Sequence, residues 1–246
     1  MAKIKLYTRN IFEDGTVTVT GTADTGYPKS RLYDRAISLY WKNTVTEAKV
    51  FHVDQGASGN ESVDALFIPK HNFNGEDMTW QYSADDVAWT NACAGWTQSG
   101  NTQIEKILTT AITARYWRVT VTSMANPQCS EIFMSYGYEY TVDFNNNPVL
   151  EDQPNVQWNP TVGGLERSTK FGNIRKSRQY ALFLQTATGT ITTFRDAMDD
   201  LDHYSKPFYL KDHEGSYFMA RLTAVPAETF ITEGHVTMTV NMIEML

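Results

Sequence analysis

Charge, cysteine and long apolar runs are all scarce in this sequence. Only 20% of the 246 residues are charged, with 21 basic against 28 acidic side chains, a net charge of −7. An acidic chain lacks the basic patch that exchanges counterions with phosphate, so specific nucleic-acid binding is not expected. The longest apolar runs are about five residues, as in Tyr180 to Leu184. A span needs about 18, so no membrane-crossing helix is expected. Met1 to Leu6 starts with charge and has no apolar stretch, so no secretory signal is expected there. Asn60-Glu61-Ser62 is then a sequon without access to glycosylation. The two cysteines, Cys93 and Cys129, make no C-x-x-C and read as buried thiols rather than a disulfide.

Motifs for chemistry are missing too. There is no G-x-S-x-G elbow, no phosphate loop and no dinucleotide turn. None of the five histidines forms a short ligand pair, so no metal and no cofactor are expected. Asp212-His213-Glu214-Gly215 reads as a polar hairpin turn, and Asp199, Asp200 and Asp202 as the wet face of a helix. With 28 acids no catalytic carboxylate pair stands out, and the chain is read as a non-enzyme.

Aromatics are plentiful: 6 Trp, 13 Tyr and 12 Phe, far from a disordered composition. Apolar and polar residues alternate at period 2 through Thr16–Thr20, Glu47–Val53, Ser62–Ile68, Met78–Tyr82, Arg115–Thr122 and Glu131–Tyr140, with turn-rich segments between. In Arg115–Thr122, Trp117, Val119 and Val121 share one face. These short strands predict a mainly β chain with a β-sandwich over residues 1–143. Asp143 to Pro148, with three Asn before the Pro, marks a boundary to a second domain, 144–246.

The second half predicts strands at 156–162, 178–186, 207–211, 216–224 and 235–243, and one helix over 193–204. Phe194, Ala197, Met198, Leu201 and Tyr204 fall on one helical face, and Thr193 with Asp196 forms a capping-box pattern. Between the first two strands, residues 165–178 carry five basic side chains, Arg167, Lys170, Arg175, Lys176 and Arg178, against Glu166 alone. A basic arm on an acidic chain suits an acidic partner, and another copy of the same chain is one. A solvated hairpin is the alternative.

Exposed aromatic faces stack on sugar rings, since the C–H face of a pyranose is apolar. Tyr27, Trp41, Phe73, Trp89 and Trp96 lie in or beside turns, where they either plug the sandwich ends or face ligand. Trp96, set among Gly95 and Thr97 to Asn101, is the candidate for glycan stacking.

The stretches Ser30–Arg35, Val63–Pro69, Trp80–Thr90 with its Ser83, Asp85, Trp89 spacing, and Ala114–Val119 resemble the galactose-binding-like, discoidin-type family. The resemblance covers about residues 15–140. It implies a jelly-roll, structural roles for those motifs, and glycan or lipid binding at loops of one end. The second half resembles the ring-forming domains of long-tailed bacteriophage tails, the tail-tube and distal-tail proteins. That likeness rests on the order arm, helix, Lys206–Asp212, Tyr217–Leu222 and a terminal strand. It implies a structural virion protein that forms a ring, six copies favoured, beside other phage tail proteins. The jelly-roll would lie outside, and the alternative is a module that binds a host-surface glycan.

Overall fold

The computed structural model describes residues 3–57, 59–142, 149–154, 156–160, 166–170 and 172–245. The chain is mainly β and divides into two compact units, Tyr7–Gly137 and Met1–Leu6 with Tyr138–Leu246. This division differs from one at 143. The segment 131–140 is not one strand: Phe133–Ser135 pairs in the first unit, while Tyr138–Thr141 pairs with Lys3–Tyr7 in the sheet of the second. The N-terminal strand thus crosses over to the later half of the chain.

The first unit is the expected β-sandwich jelly-roll. One sheet runs in the order Thr16–Val19, Glu47–Asp54, Tyr116–Met124, Asp77–Ser83, Thr90–Asn91, with Trp96–Thr97 also on Asp77–Ser83. The other holds Phe133–Ser135, Glu61–Ile68 and Ile104–Ala114. Alternation decides which side of each strand is buried. Trp117, Val119 and Val121 point inward with Phe51, Val53, Trp80 and Met78. Tyr116, Arg118 and Thr120 occupy the opposite face, and Arg118 pairs in register with His52 and Gln81. Trp41 and Phe73 are fully buried, so both plug the core. Cys129 is buried and Cys93 half-buried, both as free thiols.

The second unit has a sheet in the order Tyr138–Thr141, Lys3–Tyr7, Phe208–Lys211, Tyr217–Leu222, His235–Glu244, Arg175–Gln185, Val149–Gln153. An isolated bridge between Val142 and Leu182 joins the first strand of that path to the long strand Arg175–Gln185, so the path closes on itself. Inside lie Ile4, Leu6, Tyr180, Leu182, Phe208, Leu210 and Val240. The Asp212–Gly215 segment is the expected hairpin turn: Asp212 Oδ1 accepts from the backbone N–H of Glu214 (3.0 Å) and Ser216 (2.8 Å), with Gly215 at φ +91°.

The helix begins three residues early, at Thr190–Asp200. Its cap is Gly189 in the left-handed conformation, where a residue without Cβ is unstrained. The Thr193–Asp196 capping box is therefore not formed: Thr193 sits inside the helix and its hydroxyl donates to Gly189 O at 3.0 Å. Ile191, Phe194, Ala197 and Leu201 face the core, and Phe194 meets Tyr140 edge-on at 5.4 Å. Asp202, His203 and Tyr204 all have positive φ, which unwinds the chain after Leu201 and leaves Tyr204 exposed rather than on the apolar face.

The basic segment does not form one continuous arm. Residues 166–170 are a strand paired with Val156–Pro160 in a two-stranded ribbon, and Arg175 already begins the long strand. Lys170 and Arg175 are exposed, and of Arg167 only the backbone position opposite Asn159 is described. The Lys176 ammonium lies 5.0 Å from the Phe218 ring. Arg178 is buried, donating to the backbone carbonyls of Glu151 and Ser177, with Asp212 3.9 Å from its Nε. It is a core residue of the sheet, since its side chain is folded back among its own strand neighbours.

Candidate functional site

The solvent face of the larger sandwich sheet carries a cleft of about 630 Å³, inside the range of ligand sites. Its floor comes from three adjacent strands: Thr16 and Thr18 from the first, with Thr20 just past its end, Val50, His52 and Asp54 from the second, Tyr116 and Arg118 from the third. Period-2 alternation explains the set, because the partners of the inward Phe51, Val53, Trp117 and Val119 must point outward. Asp86 and Trp89 close one side.

The wall holding Asp86 and Trp89 is built by the Ser83, Asp85, Trp89 motif. Ser83 Oγ donates to Asp85 Oδ1 at 2.9 Å and accepts from the N–H of Asp86. Asp85 Oδ1 also accepts from the N–H groups of Val87 and Ala88, both at 2.9 Å. Those backbone donors hold the Asp85 carboxyl below the usual carboxylate range. So fastened, the turn carries Asp86 at φ +61° and lays Trp89 over the sheet. The motif is structural, and what it supports is the cleft.

Aromatic and cationic groups alternate across the face. The Arg115 guanidinium lies 4.6 Å from the Tyr116 ring. Tyr116 and His52 are near parallel with centroids 5.9 Å apart. His52 meets Trp89 edge-on at 5.7 Å, and Arg118 lies 3.9 Å from the Trp89 centroid. Asp54 takes a two-pronged contact from Arg115, 2.6 and 2.9 Å, which raises the arginine's affinity for its proton and lowers the Asp54 pKa. Asp86 Oδ1 lies 3.1 Å from His52 Nε2, whose Nδ1 is 3.1 Å from Thr18 Oγ1.

Of the turn aromatics that could face ligand, Trp89 lines this cleft and Trp96 and Tyr27 lie outside it. Trp96 is half-buried against the core, its Nε1 donates to Gln98 Oε1 at 3.2 Å, and the Lys106 ammonium covers one ring face at 4.2 Å. It does not line the cleft. Tyr27 lies under Lys42 and Arg31, at 4.4 and 5.4 Å. The five basic residues of 165–178 belong to the other unit. Arg118, His52 and Tyr116 line the cleft but are not among the candidates named from the sequence. Their signal is the polar phase of the strands Glu47–Asp54 and Tyr116–Met124. Among the described residues, no group of three or more His, Cys, Asp or Glu could hold a metal ion.

The sequence matches no known family profile and no curated protein. Several solved structures are similar. The module CpGH89CBM32-6 of Clostridium perfringens is 21% identical, covering 52% of this chain and 100% of its own, with a TM-score of 0.44. Chitosan-binding module 1 of a chitosanase/glucanase from Paenibacillus sp. IK-5 is 20% identical over 52% of this chain and 99% of its own, with a TM-score of 0.44. A Ruminococcus gnavus GH29 fucosidase, solved with fucose, is 18% identical with a TM-score of 0.47. That match covers 54% of this chain and 28% of the fucosidase.

Proposed function

We propose that the first unit binds a saccharide in the cleft over Thr18, His52, Tyr116, Arg118 and Trp89. The supporting observation is the cleft's composition: a ring wall beside hydroxyls and charged donors, set by paired strands and a fastened turn. Apolar ring faces suit the C–H faces of a sugar, and the polar groups suit its hydroxyls. Asp54 is taken up by Arg115, which leaves Asp86 as the one carboxylate of the cleft lining without an arginine partner. Titration calorimetry against a panel of oligosaccharides tests this. Trp89→Ala is expected to weaken binding by about 10-fold, whereas Trp96→Ala leaves it unchanged. Binding that follows Trp96 moves the site to that residue, and no binding to any saccharide refutes the reading.

A second reading concerns the other unit and is supported by its borders. Among the described residues, Val149–Gln153 pairs only with Arg175–Gln179, and Ala227–Thr232 only with His235–Thr239. Border strands of this kind invite pairing with another chain, and Phe230 and Ile231 are 71% and 54% exposed on one of them. The exposed Lys170 and Arg175 also match the exposed Asp196, Asp199 and Asp202 on the helix side. Head-to-tail docking of like copies gives a ring where the rotation closes, as a phage tail component in a virion would, six copies being favoured. Light scattering is expected to show a defined closed oligomer that Phe230→Lys disperses. A monomer at high concentration contradicts this reading.

A further inference from the structure

The arginines of the cleft are not equivalent, and the difference selects a ligand class. Arg115 spends its guanidinium on Asp54. Arg118 is held by neutral groups: its Nε donates to Gln81 Oε1 at 2.7 Å, and its Cζ lies 3.9 Å from the Trp89 ring centre. Among the described residues neither of its terminal nitrogens has an acceptor, and Asp86 sits against His52 instead. Partial burial pulls the Arg118 pKa down, and the Asp86 carboxylate nearby opposes the shift without outweighing it. A planar fork fixed at one edge and one face, with its open edge in a cleft, matches a carboxylate in two-pronged geometry.

We propose that the cleft selects acidic saccharides, with the carboxylate of a uronic acid seated on the terminal nitrogens of Arg118. The inference rests on the saccharide reading and adds the chemical class. Neutral sugars would meet the same rings and threonine hydroxyls yet leave the arginine fork unanswered. A partly desolvated charged donor favours a ligand that can pair with it over one that cannot.

The test titrates the full chain with oligogalacturonate, oligomannuronate and hyaluronan fragments, each beside its carboxyl-reduced counterpart of the same length. At least one uronate is expected to bind about 10-fold or more tightly than its reduced partner. That preference disappears in Arg118→Gln and is partly kept in Arg118→Lys, which supplies charge without the fork. Thermal melting of each variant confirms that the unit stays folded. Equal affinity for acid and reduced forms overturns this inference and leaves the saccharide reading standing. A preference that survives Arg118→Gln overturns the assignment to Arg118. No binding by either form of any pair overturns both.

Discussion

Trp117→Ala unfolds the first unit or brings it close to unfolding. The indole is fully buried at the centre of the sandwich, with ring centres of Trp80 at 5.8 Å and Tyr82 at 5.7 Å, and its Nε1 donates to Ala114 O at 3.1 Å. Large-to-alanine changes at such positions cost about 3–5 kcal/mol, from lost transfer energy and the cavity left behind. A domain holds only about 5–15 kcal/mol in all. The loss also strips support from the cleft, because Tyr116 and Arg118 flank Trp117 on the same strand. Denaturant unfolding followed by tryptophan fluorescence checks this. A midpoint within error of wild type would mean that the strand is not the core of the sandwich.

Glu131 produces the second large effect, and its sign depends on pH. The carboxylate is fully buried, accepting from Asn10 Nδ2 and from the backbone N–H of Arg35, both at 2.9 Å. The Arg35 guanidinium is turned to Glu13. Burial pushes the Glu131 carboxyl well above its usual range, and the nearby Glu13 and Asp34 add to the rise while Arg35 opposes it. A raised acid pKa in the folded state means that folding favours the neutral form. Its contribution is whole below the unfolded value, about 4.3, and is lost as pH climbs towards the folded value. Glu131→Gln keeps the shape without the ionisation. The melting-temperature difference between this variant and wild type is expected to shift in favour of Gln from pH 4 to pH 8. A constant difference would contradict the assignment. Glu131→Ala is expected to lose stability at every pH, about 1–3 kcal/mol for each buried donor left without an acceptor.

The sandwich was legible because its strands alternate: Lys49, Phe51 and Val53 of one strand and Trp117, Val119 and Val121 of its neighbour all point inward. Ile104–Ala114 was not, since its pairing with Glu61–Ile68 shifts register between Val63 and Ala65 and breaks the alternation. Lys3–Tyr7 was unreadable as a member of the later unit, because nothing local records a partner more than 130 residues away. Residues 227–232 carry no inward phase, and all but one of them are exposed. The helix was visible through Phe194, Ala197 and Leu201, but its start was set by the conformation of Gly189 rather than by a polar cap. The cleft was half legible. The Ser83, Asp85, Trp89 spacing named the turn, while the meeting of His52, Tyr116 and Arg118 required the strand register. Trp96 looked open from its glycine-rich flanks, which hold no trace of the lysine above it.

The most direct test of the account is a two-dimensional NMR titration that follows tryptophan indole signals while a binding saccharide is added. The account predicts a saturating shift of the Trp89 indole together with the Arg118 side chain, and a stationary Trp96. A shift confined to Trp96, or to residues outside the His52, Tyr116 and Trp89 cleft, would contradict it.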